Sequence, residues 1–416
     1  MLVTALKQIY KKLNLDAVHG ANSERMPYDE QMKYLGRFRN PKDDFERSYY
    51  KYKCFCQYCY YKKSWLLLIY NLGAMLMLPF LHMKLRRGNK AELHGDQADI
   101  VLENVPRLPN DDILPDELAA EYPRVQEVTA ISYLDSVLND QAEEIYQELR
   151  SRYFLHFYFR IIVLLKLAQF STYIERHHPA AVVFYSCERE FSGPLQSLLC
   201  EKCNAKYISF MHGDYLSALC FAFQRYSLYY IWDTSYQEMF QSLRCSFPMR
   251  LYTPEKLQSI APETAPQDCS YFATYYFSDE TREEAMKIHE IFSRFENHGL
   301  RTKVRPHPRF SNIDMLKEVF ADIEIEDVEK YPLSESISQS LYIVGLNTTV
   351  LSQGYFSNKS IVIDDVSAVE KYNELDQRGY IMIKRSHMLL SELCDRINGA
   401  CMEGYACLKQ SFRKKG

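Results

Sequence analysis

Residues 180–186, "AAVVFYS", 193–203, "GPLQSLLCEKC", and 205–213, "AKYISFMHG", read in order as strand, helix and strand. "LYYIWD" at 228–233 adds a further strand. This alternation is the mark of a parallel α/β sheet. Upstream, "ADIVLEN" (98–104) reads as a buried strand running into the Pro- and Asp-rich loop "VPRLPNDDILPDEL". Residues 138–175 read as helical, with the very apolar stretch "YFLHFYFRIIVLLKLAQF".

Downstream, "SIAPETAPQDCS" (259–270) is rich in Pro, Ala and Gln and reads as a linker. The alternation then restarts. "YFATYYF", "TKVRPHP", "IEIED", "LYIVG" and "SIVIDD" are strands, and helices are expected at 280–297, from Asn312, at "LSESISQS" and at "TTVLSQGYF". At 416 residues the chain is long enough for two domains. The expected layout is a basic N-terminal segment (1–90), an α/β domain (91–258), a linker (259–270) and a second α/β domain (271–416). Two such domains in series give a cleft facing the strand C-termini.

Hydrophobic residues make up 47% of the chain and charged residues 25%, which excludes disorder. The start, "MLVTALKQIYKKLNLDA", has no apolar run before a small-residue cleavage site, so no secretory signal is expected. Twelve cysteines without such a signal suggest reduced thiols in a cytoplasm. "CFCQYC" (54–59) and "CEKC" (200–203) have imperfect zinc spacing, and no metal is expected.

The net charge of −4 hides an asymmetry: residues 1–90 carry 17 Lys/Arg against 7 Asp/Glu, and the remainder is acidic. A basic segment on an acidic body calls for an anionic partner. It has no nucleic-acid-binding motif, so nucleic acid is not expected. Within it, "WLLLIYNLGAMLMLPFLH" (65–82) lies between "YYKK" and "KLRR". Its length is at the lower edge for a span, and Asn71, Gly73, Pro79 and His82 weaken that reading. Lysines and aromatics at one end and arginines at the other suit a segment lying in the headgroup region; the alternative is a buried helix, or a strand followed by a helix.

Ligands of parallel sheets sit at strand C-termini and helix N-termini. "VRPHPR" (304–309) puts Arg305, His307 and Arg309 at a strand end, stiffened by two prolines. "GLNTTVLSQG" (345–354) ends another strand and opens a helix, where Asn347, Thr348 and Thr349 offer an anion hydroxyls and free N–H groups, or merely cap the helix. In the first domain, "SCEREFSG" (186–193) places Glu188 and Glu190 after a strand, where a carboxylate can act as general base. "FMHGDY" (210–215) places His212 and Asp214 at the next strand end, and Asp233 reads as a helix cap. There is no G-x-x-x-x-G-K-[ST], no G-x-G-x-x-G and no D-x-D pair, so phosphate charge must be met by Arg, His, hydroxyls and helix ends.

An acidic loop in the first domain, His-Pro after a strand of the second, and a Ser/Thr pair opening a helix about forty residues later together resemble bacterial sialyltransferases. Those are two-domain glycosyltransferases of the GT-B superfamily. The resemblance implies a GT-B-like fold of two Rossmann-like domains, with His307, Thr348 and Thr349 on the donor phosphate. It also implies an acidic residue of "CEREFSG" as base. Here Arg189 separates the two acids that are adjacent in that family. The implied substrates are a nucleotide-activated sugar, CMP-linked, and a surface glycan or lipid-linked acceptor. No cofactor is implied. "HGD" with "HP" is also similar to the polymerases that transfer glycerol phosphate from CDP-glycerol, in which His212 would be the base. A third reading is a non-catalytic binding protein in a polysaccharide assembly complex. The location expected is cytoplasmic, peripheral on the inner face of the plasma membrane.

Overall fold

In the computed structural model the described residues are 26–88, 95–103, 114–129, 131–185, 188–211, 213–254, 269–385 and 387–403. They form two units. The first runs to Tyr252, apart from Gly213–Leu216, which group with the second unit beginning at Thr253. Most of the expected linker, 259–270, lies outside the described residues, as does His212.

The first unit is built on a sheet of six strands among the described residues: β1 (Ile100–Glu103), β2 (Val125–Val128), β3 (Ala181–Tyr185), β4 (Lys206–Phe210), β5 (Leu228–Ile231) and β6 (Met249–Leu251). Their order is β2-β1-β3-β4-β5-β6, and every neighbour is parallel. Ala181, Val182 and Val183 are fully buried, as a strand covered on both faces requires. The helix Phe157–His177 is buried around most of its girth, so its apolar run belongs to the core.

The second unit repeats the plan with β7 (Tyr271–Tyr276), β8 (Thr302–Arg305), β9 (Glu324–Ile325), β10 (Ser340–Gly345), β11 (Ser360–Ile363) and β12 (Met388–Leu389). The order is β12-β11-β10-β7-β8-β9, again all parallel. The helix Arg282–Asn297 starts in a capping box between Thr281 and Glu284. It buries Ala285, Ile288, Phe292 and Phe295, spaced three and four apart, against this sheet. Two Rossmann-like α/β units are therefore present, as the GT-B-like expectation requires.

The N-terminal segment does not stand apart from the first sheet. Three helices, Tyr28–Leu35, Asp44–Cys59 and Trp65–Arg86, belong to the first unit. Lys51 is fully buried, and its ammonium donates to the carbonyls of Glu188 (2.6 Å), Cys220 (3.2 Å) and Ala222 (3.4 Å). Burial pushes its pKa below the usual lysine value. Ser48 Oγ donates to the carbonyl of Phe191 at 2.6 Å. The bonds to the Glu188 and Phe191 carbonyls fix both ends of the 188–191 loop.

Candidate functional site

In each sheet the chain runs outward in one direction from a first strand and then returns to build the other side. That reversal opens a crevice at the strand C-termini, the place where open α/β sheets bind ligands. In the first unit it falls between β1 and β3, in the second between β7 and β10.

Glu103 is the last residue of β1, and the acidic loop follows β3. The helix Phe157–His177 lays Lys166, Gln169 and Tyr173 along one face at helical spacing. Lys166 Nζ donates to Glu190 Oε1 at 2.5 Å. Gln169 Nε2 (3.2 Å) and Tyr173 OH (3.0 Å) donate to Glu103 Oε2. Glu190 Oε2 is buried without a hydrogen-bond partner among the described residues. Burial pushes the Glu103 carboxyl up to about 7; Lys166 opposes the shift and the charge of Glu190 adds to it.

Glu103 and Lys166 were not singled out from the sequence. The legible signal was Lys, Gln and Tyr at i, i+3 and i+7 inside an otherwise apolar helix. Glu188 is placed differently from Glu190. Only 2% exposed, it accepts from Tyr229 OH at 2.9 Å, which suits a structural role. Asp214 accepts a hydrogen bond from the Ser352 hydroxyl, and Asp233 caps its helix through Ser235 N at 2.8 Å.

The raised Glu103 pKa has a stability consequence. The folded state holds this proton more tightly than the unfolded chain, so the stabilisation is complete below about pH 4.5 and is lost as pH rises through about 7. Glu103→Gln is expected to raise the melting temperature at pH 8, by an amount equivalent to at most about 3 kcal/mol. The gain should vanish at pH 5. A thermal melt at both pH values checks this; an equal shift at both would refute it.

In the second unit, β10 ends at Gly345. A Cβ there would lie 3.1 Å from Thr348 Cγ2 and 3.2 Å from the Tyr276 carbonyl, so any larger residue would push the 346–348 loop or β7 aside by a few tenths of an ångström. Thr348 then caps the helix Thr349–Phe356, its hydroxyl accepting from Val350 N at 3.4 Å; Asn347 and Thr349 are exposed beside it. The cap is a long bond, and the first turn keeps N–H groups for an anion.

His307 follows β8. Its backbone N donates to Ser311 Oγ at 2.8 Å, and that hydroxyl donates to the Ser278 carbonyl beyond β7 at 3.4 Å. His307 Nδ1 accepts from Arg309 N (3.0 Å) and Phe310 N (3.2 Å), so the ring proton sits on Nε2. Burial, then the Arg309 charge, lowers the His307 pKa and keeps the ring neutral. The ring stacks on Phe310, centroids 4.5 Å apart. Glu280, past the end of β7, is pushed up to about 7 by burial.

Arg305 departs from the expectation of a phosphate ligand. Its guanidinium is paired with buried Glu326, which also binds Lys303, and Nη2 donates to the Tyr331 carbonyl at 3.0 Å. Arg305 thus braces the strand end, while Arg309 is exposed next to His307. Among the described residues no three His, Cys, Asp or Glu side chains converge as metal ligands, and Cys54, Cys56, Cys59 and Cys200 are buried thiols.

No protein-family model matches the chain, and neither does any curated protein. Solved structures with a likeness include the calicheamicin glycosyltransferase CalG4 (TM-score 0.40, 11% identity, 76% of this chain and 92% of that one). The wall teichoic acid polymerase TagF gives a TM-score of 0.40 at 10% identity over 84% and 91% of the two chains. The UDP-GlcNAc 2-epimerase of Methanocaldococcus jannaschii, bound to UDP-GlcNAc and UDP, gives 0.35 at 11% over 72% and 91%.

Proposed function

We propose that the chain is a glycosyltransferase that takes a sugar from a nucleotide-activated donor. One observation carries this reading: a neutral His307 with its proton on Nε2 and an exposed Arg309 follow β8, and the helix start at Thr348–Thr349 follows β10, at the C-terminal ends of the two strands that flank β7. That is a hydrogen-bond donor, a fixed charge and a helix dipole suited to one phosphate. The resemblance of the motifs adds the finer proposal of a cytidine nucleotide carrying a sialic-acid-like sugar. The first sheet supplies the base. As the acceptor oxygen bonds to the anomeric carbon, its proton passes to Glu190. The bond from that carbon to the phosphate oxygen breaks, and the phosphate leaves with the electron pair. The charge it gains falls on the His307, Arg309 and Thr348–Thr349 group.

Binding tests the donor half of this reading. Titration calorimetry with CMP, CDP and UDP should give a measurable Kd for at least one. His307→Ala should weaken that nucleotide about tenfold or more, the loss of a hydrogen bond to a charged group. Arg305→Lys should leave affinity nearly unchanged. Undiminished affinity in His307→Ala would overturn the assignment.

A further inference from the structure

The helix Trp65–Arg86 is apolar on two opposite faces, and only one is covered. Ala74, Leu78, Leu81 and Leu85 are buried, spaced four, three and four apart. Diametrically opposite, Trp65 (61% exposed), Leu68, Ile69, Leu72, Leu76 (68%), Phe80 (66%) and Met83 form a continuous exposed stripe. Phe154 and Leu155 are further exposed apolar side chains of this unit, and the Leu155 carbonyl accepts from Asn71 Nδ2 of the same helix at 3.2 Å. Single exposed apolar side chains are ordinary, but a stripe this long marks a contact surface.

We infer that this stripe docks on an anionic lipid surface, with the helix lying in the plane of the headgroups. The charge pattern selects that occupant. Exposed Lys62 and Lys63 precede the helix, and exposed Lys84, Arg86 and Arg87 close it, while the stripe between carries no charge. Anionic headgroups answer both basic ends while acyl chains take the apolar middle. Trp65 sits at one end, where an amphipathic ring suits the interface.

A second copy of the helix does not fit this pattern. Antiparallel pairing sets the lysine end against the arginine end, and parallel pairing sets each end against itself, so cation meets cation either way. A full span fails for another reason. At 22 residues the helix is about 33 Å long, enough to cross. Its covered face, however, is tied into the first unit. Tyr158 N donates to Asn71 Oδ1 (3.0 Å), His82 pairs with Glu143 (2.8 Å), and Leu138 N donates to the Leu85 carbonyl (3.1 Å). Crossing the bilayer would break these contacts. Lipid docking is independent of which group is transferred, and its readout is binding, not turnover.

The full chain is floated with vesicles of phosphatidylcholine alone and of phosphatidylcholine with a quarter phosphatidylglycerol. Recovery should be at least about fivefold higher on the anionic vesicles and should fall as salt shortens the screening length below ~8–10 Å. Leu68→Glu/Leu76→Glu should remove flotation while leaving the melting temperature unchanged, since both positions are exposed. Lys84→Glu/Arg87→Glu should abolish the preference for anionic lipid. Equal recovery on both vesicles, or a double variant that still floats, would overturn the inference. So would a wild-type dimer that Leu76→Glu dissociates, which would mean that a second copy covers the stripe, or retention in carbonate-washed membranes, which would mean a span.

Discussion

Glu190→Gln is expected to lower kcat by about 10²–10⁴-fold while nucleotide affinity holds. The carboxylate has one oxygen bound to Lys166 and a second that is buried without a partner among the described residues. The amide keeps an oxygen for Lys166, so the loop should keep its place, but it cannot take a proton. The defect should therefore fall on chemistry, not on donor binding. Nucleotide release from CMP-, CDP- and UDP-linked donors with and without acceptor gives the rate. Glu103 is the internal rival, because its carboxyl titrates near neutral pH. A near-normal Glu190→Gln beside an inactive Glu103→Gln would move the base to β1. Inactivity only in His212→Ala would favour transfer of glycerol phosphate instead. If ionised Glu103 is the base, kcat/KM should fall below about pH 7, and Glu103→Gln should be inactive across the pH range.

Glu326→Ala should cost about 3–5 kcal/mol of stability. Glu326 is buried between Lys303 and Arg305, and all three side chains are nearly closed off from water. Burial works against its charge, but hydrogen bonds from Lys303 and Arg305 hold its pKa below the ordinary carboxylate range. The stabilisation is thus present above about pH 4.5 and fades in more acidic solution. Removing the carboxylate leaves two buried cations facing each other. Chemical denaturation at pH 7 measures the loss, and a cost below about 1 kcal/mol would mean that water already reaches the cluster. Because Arg305 is followed by Pro306 and His307, nucleotide affinity should weaken in the same variant.

Much of the fold was legible because its central strands are short apolar runs between helical segments: β3, β4, β5, β7, β8, β10 and β11 all lie where the sequence places them. The edge strands β2, β6 and β12 were not. Val125 is 38% exposed and Leu251 61%, so neither strand carries the apolar signature of a buried one. The site divides similarly. Strand ends are enough to single out Glu190, His307 and Thr348 as candidates, since that choice needs only position along the chain. Pairing was not readable. Arg305, at the end of β8, and Glu326, just past β9, lie 21 residues apart, and Lys166 meets Glu190 from a helix 24 residues upstream. Residues 1–90 read as a separate basic segment, because nothing local reveals that Lys51 is destined for carbonyls 137 to 171 residues later.

That last distance has a consequence for synthesis on the ribosome. At roughly 5–20 residues per second, about ten to thirty seconds separate the emergence of Lys51 from that of Ala222. For the first and longer part of that interval, until the helix Phe157–His177 that packs on it has emerged, the helix Trp65–Arg86 has neither face covered. The nascent chain is then most exposed to aggregation, and a chaperone or a nearby bilayer is the natural shelter. Slowing translation between codons 90 and 220 should lower the soluble yield of the wild type more than that of Leu68→Glu/Leu76→Glu.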